Sequence, residues 1–204
     1  MKKGNLNNLL LSAVKSGDVV QVKELLAANA DPNTTKRIKA VYTMSGYWNE
    51  RALTEAFFLH PNSKVPPFPA TRELSQVSKE IITLLLEAGA DLNPKASEEE
   101  TISAIHLVAE SGIIDILNLM LKYNLDVNLP DVNGGTPLHI ACRRNQIETV
   151  IILIGAGANV NAKDDNGLMP IASSSKEVKE LLLAAGAIYQ EMPPPMPNPF
   201  LYEV

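Results

Sequence analysis

Sulfur, long apolar runs and excess basic charge are all scarce in this chain, and each shortage removes a class of function. Cys142 is the single cysteine, so no internal disulfide can form. Its place among apolar residues suits a small core filler in a reducing compartment, and a cytoplasmic location is the expectation. With 18 Lys and Arg against 23 Asp and Glu the net charge is -5, so no long-range field draws the molecule to phosphate backbones or anionic lipid. Neither nucleic acid nor membrane is an expected partner. Lys2 and Lys3 imitate the basic start of a signal peptide, but the apolar run behind them is only Leu9 to Leu11. No segment has the length and apolarity to span a bilayer. Glycine-rich phosphate loops and nucleophile elbows are missing too.

What remains is a 204-residue chain, 46% hydrophobic, able to bury a sizeable core as one structural domain. Its most regular stretch is Asp131 to Asn161. Thr136, Pro137, Leu138, His139, Ile140 and Ala141 spell T-P-L-H-x-A, a pattern tied to a period of 33 residues. Thr136 suits an N-cap, and Pro137 suits the first helical position, where its missing N–H would have no intrahelical partner. After Asn145, Ile147, Val150, Ile151, Leu153 and Ile154 follow helical spacing, and Gly157 supplies a left-handed terminator. The unit is hairpin, helix, helix.

On these residues the chain resembles the ankyrin-repeat family. The implied fold is an all-α solenoid of helix-turn-helix repeats joined by β-hairpin loops, with roughly five repeats here. The helix-terminating position sets the register. Asn29, Gly89, Asn124 and Gly157 each stand four residues before an asparagine, namely Asn33, Asn93, Asn128 and Asn161. Gly and Asn enter the left-handed conformation most readily, which gives their exchange at this position a backbone reason. The repeats run over about 6–33, 34–93, 94–128, 129–161 and 162–190, within a 1–190 domain followed by a Pro-rich tail, 191–204.

The first repeat places Leu9, Leu10, Ala13 and Val14 on an inner helix and Val19, Val22, Leu25 and Leu26 on an outer one. Polar residues crowd its start, as a terminal repeat requires. From Asn33 to Asn93 the second repeat is nearly twice the usual 33-residue period. One insertion enlarges its hairpin over Thr34 to Glu50; another, within Leu59 to Gln76, carries Pro61, Pro66, Pro67 and Pro69 and separates its helices. The third repeat sets Ser103 to His106 in register with Thr136 to His139. In the fifth, Gly186 follows Gly157 by less than a period, so the inner helix should be truncated.

No reactive constellation emerges. The resemblance puts His106 and His139 where an imidazole holds neighbouring hairpins. Packed helices roughly 8–10 Å apart leave two such rings unable to share zinc at about 2 Å each. Cys142 is one turn from His139 but lacks a third orienting group. Glu98, Glu99 and Glu100 read as a solvated hairpin edge. An enzyme with its site in the second-repeat insertions would have only Glu50, Arg51 and His60 to work with. Catalytic, metal and cofactor sites are therefore expected to be none.

What the resemblance implies is a non-enzymatic module that binds another protein through its concave face. The role would be that of an inhibitor or immunity-like protein or an adaptor, with a secreted bacterial effector acting on a host protein in the host cytosol as the alternative. In this family the face is built from hairpin tips and inner-helix ends. By register that means Tyr47, Trp48 and Phe58 in the second repeat, Glu99, Glu100 and Glu110 in the third, Asn133, Arg143 and Arg144 in the fourth, and Asp165 and Asn166 in the fifth. Aromatics, an acidic station and a basic station would then follow one another. Packing of Tyr47, Trp48 and Phe58 onto their own repeat is the competing reading. The tail offers a subsidiary one: Asn198-Pro199-Phe200 resembles the tripeptide that EH domains bind, Pro194 to Pro197 matches P-x-x-P, and Tyr202-Glu203-Val204 would fit a PDZ groove.

Overall fold

A computed structural model describes residues 3–39, 47–56, 75–94 and 103–188. Among them, helices α1 (Lys3–Ser16) and α2 (Val19–Ala27) form a first antiparallel pair. A two-stranded hairpin, β1 (Thr35–Lys39) and β2 (Tyr47–Arg51), leads into α3 (Ala52–Glu55) and α4 (Gln76–Glu87). Then come α5 (Ala104–Ser111) with α6 (Ile114–Met120), α7 (Pro137–Arg143) with α8 (Ile147–Gly155), and a 3-10 turn (Pro170–Ser173) with α9 (Lys176–Ala184). Inner helices stack on inner helices, α1 on α3, α5 on α7 and α7 on the 3-10 turn. Outer helices stack α2, α4, α6, α8, α9 in chain order.

Local chemistry sets the helix boundaries. The side chains of Asp18, Ser75 and Ser175 accept from the N–H groups of Gln21, Ser78 and Val178 at 2.9, 3.0 and 3.3 Å, satisfying donors the helix cannot. Four outer helices end on a left-handed residue: Asn29 (φ 63°), Gly89 (88°), Gly157 (92°) and Gly186 (90°). The next residue's N–H then turns back to the helix, Ala30 to Leu25, Ala90 to Leu85, Ala158 to Leu153 and Ala187 to Leu182, each at 2.9 Å. Asn124 departs from the expected pattern, because it has no positive φ. In that repeat the Tyr123 N–H takes the Met120 carbonyl in a tighter turn at 2.9 Å, so the left-handed step is not needed.

The register asparagines have a second role that their backbone neighbours do not reveal. Each spans to the helix-terminal turn of the next repeat and satisfies both a carbonyl and an N–H there. Asn33 Nδ2 donates to the Gly89 carbonyl (3.3 Å) and its Oδ1 accepts from Asp91 N–H (2.6 Å). Asn93 makes the same pair with Asn124 and Asp126, both at 2.7 Å. Asn128 does so with Gly157 (3.2 Å) and Asn159 (2.7 Å), and Asn161 with Gly186 (3.1 Å) and Ile188 (2.7 Å). The amide is the one neutral side-chain group that donates and accepts from adjacent atoms, which is why asparagine recurs here.

The core is one continuous layer between the two stacks, with Leu10, Ile81, Ile82, Leu85, Ile105, Ile116, Leu117, Leu138 and Leu153 fully buried. Each such side chain contributes about 1.5–3 kcal/mol relative to exposure. Ile151, expected on the apolar face of α8, is 52% exposed, because Thr149, Val150 and Leu153 already form the covered side. The enlarged second hairpin is present, with Thr35 paired to Arg51 and Lys39 to Tyr47. The expected Pro-rich insertion and the tail fall outside the described residues. In the fifth repeat the inner element is only the 3-10 turn, closed by Ser174 Oγ donating to the Pro170 carbonyl at 2.8 Å.

Candidate functional site

The hairpin tips of the fourth and fifth repeats are wired alike. Asp131 N–H donates to the Gly135 carbonyl at 2.8 Å, while Asp131 Oδ1 accepts from Asn133 N–H and Gly135 N–H, both at 2.8 Å. Asp164 repeats the arrangement with Leu168 and Asn166, all three bonds at 2.9 Å. A short carboxylate can thus hold a four-residue turn rigid without strand pairing. The fifth tip docks on the fourth through Asp165 N–H, which donates to the Asn133 carbonyl at 3.0 Å. Gly134 permits that approach: a Cβ there would stand 2.6 Å from Asp165 Oδ1.

Beneath the tips, two buried imidazoles tie each inner helix to the following hairpin. Thr136 occupies the N-cap of α7 with φ −85° and ψ 163°, and its N–H donates to His139 Nδ1 at 3.1 Å. Nδ1 is therefore the acceptor, and the proton sits on Nε2, which donates to the Leu168 carbonyl at 3.0 Å. His106 repeats this one unit earlier, with Nδ1 2.7 Å from Ser103 Oγ and Nε2 3.3 Å from the Gly135 carbonyl. Burial holds His106 below its ordinary pKa, outweighing the opposite pull of Asp131 and of the carbonyls of Gly135 and Leu129. The rings serve as spacers between repeats, as the resemblance implied.

Arg143, exposed at the end of α7, stands between two adjoining clefts of about 250 and 300 Å³. Both clefts are also lined by Asp131, Asn133 and Ile140. The first continues to Asn166, Leu168 and Met169; the second reaches His106 and Glu110. Arg144 turns away to an ion pair with Glu110, whose carbonyl also accepts from Gln146 Nε2 at 3.1 Å. Glu110 keeps only 13% of its side chain exposed. Glu110 and Arg144 are therefore one linked pair between repeats, whereas the sequence reading set them in separate acidic and basic stations. A larger cleft of about 550 Å³ opens at the inner-to-outer turns, around Gly112, Asn145 and Gln146.

Of the residues singled out from the sequence, Asn133, Arg143, Asp165 and Asn166 come together at the fourth and fifth tips. Tyr47 and Trp48 lie in β2, paired with Lys39 and Ile38. Phe58, His60, Glu99 and Glu100 are outside the described residues. Sequence reasoning missed Asp131 and Asp164 as organisers of the tips; the signal available was the repeated D-x-N-G, whose first aspartate can cap its own turn. Cys142 is buried, and desolvation pushes its thiol up to about 11 despite the Ser174 side chain, which acts the other way. A neutral buried thiol is a poor nucleophile. Among the described residues no three His, Cys, Asp or Glu gather as metal ligands, and no helix is long and apolar enough to cross a membrane.

Stacked helix pairs with hairpin tips and histidine spacers define a repeat solenoid with a lateral groove. Residues 73–164 match the family model of ankyrin repeats in three copies, and the fold is an ankyrin-repeat solenoid. It is 46% identical over 83 residues to delta-latroinsectotoxin-Lt1a of Latrodectus tredecimguttatus, covering 40% of this chain and 7% of that protein. It is 35% identical over 81 residues to human protein phosphatase 1 regulatory subunit 27, covering 40% of this chain and 53% of the relative. Cyclin-dependent kinase inhibitor 2A of Monodelphis domestica is 31% identical over 106 residues, 52% of this chain and 60% of the relative. The chain thus spans less than two thirds of the length of these relatives.

Proposed function

We propose that this chain is a non-enzymatic module that binds a protein partner along the tips and inner-helix ends of its fourth and fifth repeats, and thereby regulates the partner as an inhibitor would. The observation that carries this reading is the pair of clefts meeting at Arg143. An exposed guanidinium set between shaped depressions is the kind of anchor that dominates protein interfaces. Asn133, Asn166 and Asp165 supply the polar rim, and rigid Asp-held tips reduce the ordering cost of association. By register, Tyr47 and Trp48 would extend the same face into the second repeat. The buried Cys142 thiol, and imidazoles whose ring nitrogens are both engaged in hydrogen bonds, leave the described site without an activated nucleophile. Two relatives, a phosphatase regulatory subunit and a kinase inhibitor, favour a regulatory role over a purely scaffolding one. Residence in a reducing cell compartment is part of the proposal.

The test is capture of partners from native lysate, identification by mass spectrometry, and titration with purified components. Arg143→Ala should weaken binding by about 2 kcal/mol or more with the helical spectrum unchanged. An inhibitor will lower its partner's activity in step with occupancy; an adaptor or an effector recruiting a host protein will bind without doing so. Unchanged affinity in both Arg143→Ala and Trp48→Ala would move the interface away from this face.

A further inference from the structure

The fourth and fifth tips each contain an Asn-Gly step, Asn133-Gly134 and Asn166-Gly167, one repeat apart. Both asparagines are exposed. Both glycines hold positive φ, 71° and 76°, and donate their N–H to the aspartate that opens the turn, at 3.1 and 2.8 Å. With no side chain on glycine, its backbone nitrogen can approach the preceding side-chain amide, so both steps are chemically competent for intramolecular attack. Their surroundings differ. The fourth tip lies under the fifth: the Asn133 carbonyl accepts from Asp165 N–H at 3.0 Å, and Asp165 crowds Gly134. Around Gly167 nothing lies within 4 Å of where a Cβ would stand, and among the described residues no further tip packs on it.

The geometry points to Asn166 as a site of spontaneous deamidation, with Asn133 protected by the hairpin docked over it. The Gly167 nitrogen loses its proton and bonds to Asn166 Cγ, and the Cγ–Nδ2 bond breaks to release ammonia and leave a succinimide. Water then opens the ring at either carbonyl, giving aspartate or, with one extra methylene in the main chain, isoaspartate. Attack requires the turn to open; the fifth tip is held from one side only, through Asp165 and Leu168, and with nothing packed over Gly167 it opens at lower cost than the covered fourth tip. The isoaspartyl product lengthens the backbone between Asp164 and Leu168. That breaks the bonds from Asn166 N–H and Leu168 N–H to Asp164 and displaces the carbonyl that His139 holds. The same residue would thereby gain a negative charge on the groove's rim.

The experiment is incubation of the folded full-length chain in mildly alkaline buffer made with heavy-oxygen water. Peptide mapping with electron-transfer fragmentation then separates the aspartyl and isoaspartyl products. Asn166 should incorporate label several-fold faster than Asn133. Asp165→Pro tests the protection: proline suits the second position of this turn and deletes both the N–H that reaches Asn133 and the carboxylate that crowds Gly134. With the helical spectrum intact, it should bring labelling at Asn133 up toward the rate at Asn166. Equal rates in the unsubstituted folded chain, faster loss of Asn133, or labelling of Asn166 only after unfolding in urea would each overturn the assignment.

Discussion

His139 reaches across a repeat boundary to Leu168: the ring's Nε2 lies 3.0 Å from that carbonyl, while Nδ1 receives the N–H of Thr136 from its own repeat. One buried imidazole therefore satisfies a helix N-terminus on one side and a hairpin on the other. His139→Ala orphans both groups, and a loss of roughly 1–3 kcal/mol in urea unfolding is expected. Thr136→Ala, which keeps the backbone bond and removes only the hydroxyl at the cap, should cost about 1 kcal/mol. A smaller effect for His139→Ala than for Thr136→Ala would reverse this ranking.

His106 makes stability depend on pH. Its folded pKa lies below the ordinary 6.5 because burial penalises the charged ring. Above 6.5 both folded and unfolded chains carry a neutral imidazole and stability is at its full value. As pH falls below 6.5 the unfolded chain takes up the proton first, so stability declines until the folded-state pKa is passed. Unfolding free energies measured across this range should drop in the parent, and His106→Gln should remove that part of the slope.

The asparagine bridges act between repeats, so their loss should uncouple neighbours. Asn128→Ala removes two exposed bonds, to Gly157 and Asn159. A net cost of about 1–3 kcal/mol follows from about 0.5–1.5 for each. Hydrogen exchange should show the extra opening in the fourth and fifth repeats more than in the first, and uniform change along the chain would contradict a nearest-neighbour bridge.

Cys142 should resist alkylation while the chain is folded and react rapidly once it is unfolded. Its pKa near 11 leaves little thiolate at neutral pH, and the side chain is buried. Rapid modification of the native protein would show that α7 opens far more often than its packing implies.

Most of the architecture was legible in the chain because each repeat carries its own punctuation. Thr136-Pro137 opens a helix, Gly157 closes its partner, and the same spacing recovers Ser103 to His106 and the shortened fifth unit. The groove was less legible. Register placed Asn133, Arg143, Asp165 and Asn166 on one face, but only the tertiary structure separates Arg143, poised between two clefts, from Arg144, engaged with Glu110. Two adjacent arginines carry no mark in sequence of which one a distant carboxylate will claim.

Helix starts, left-handed stops and apolar periodicity are local, set by the conformational limits of a few neighbouring residues, and sequence alone determined them. Contacts between repeats join residues a full period apart. Tertiary structure alone decided that Asn33, Asn93, Asn128 and Asn161 bridge successive turns. It also decided that Asn124 needs no left-handed step and that Asp165 covers Asn133. These follow from stacking, because a side-chain amide or a backbone N–H finds its partner only after the next repeat has been laid against it.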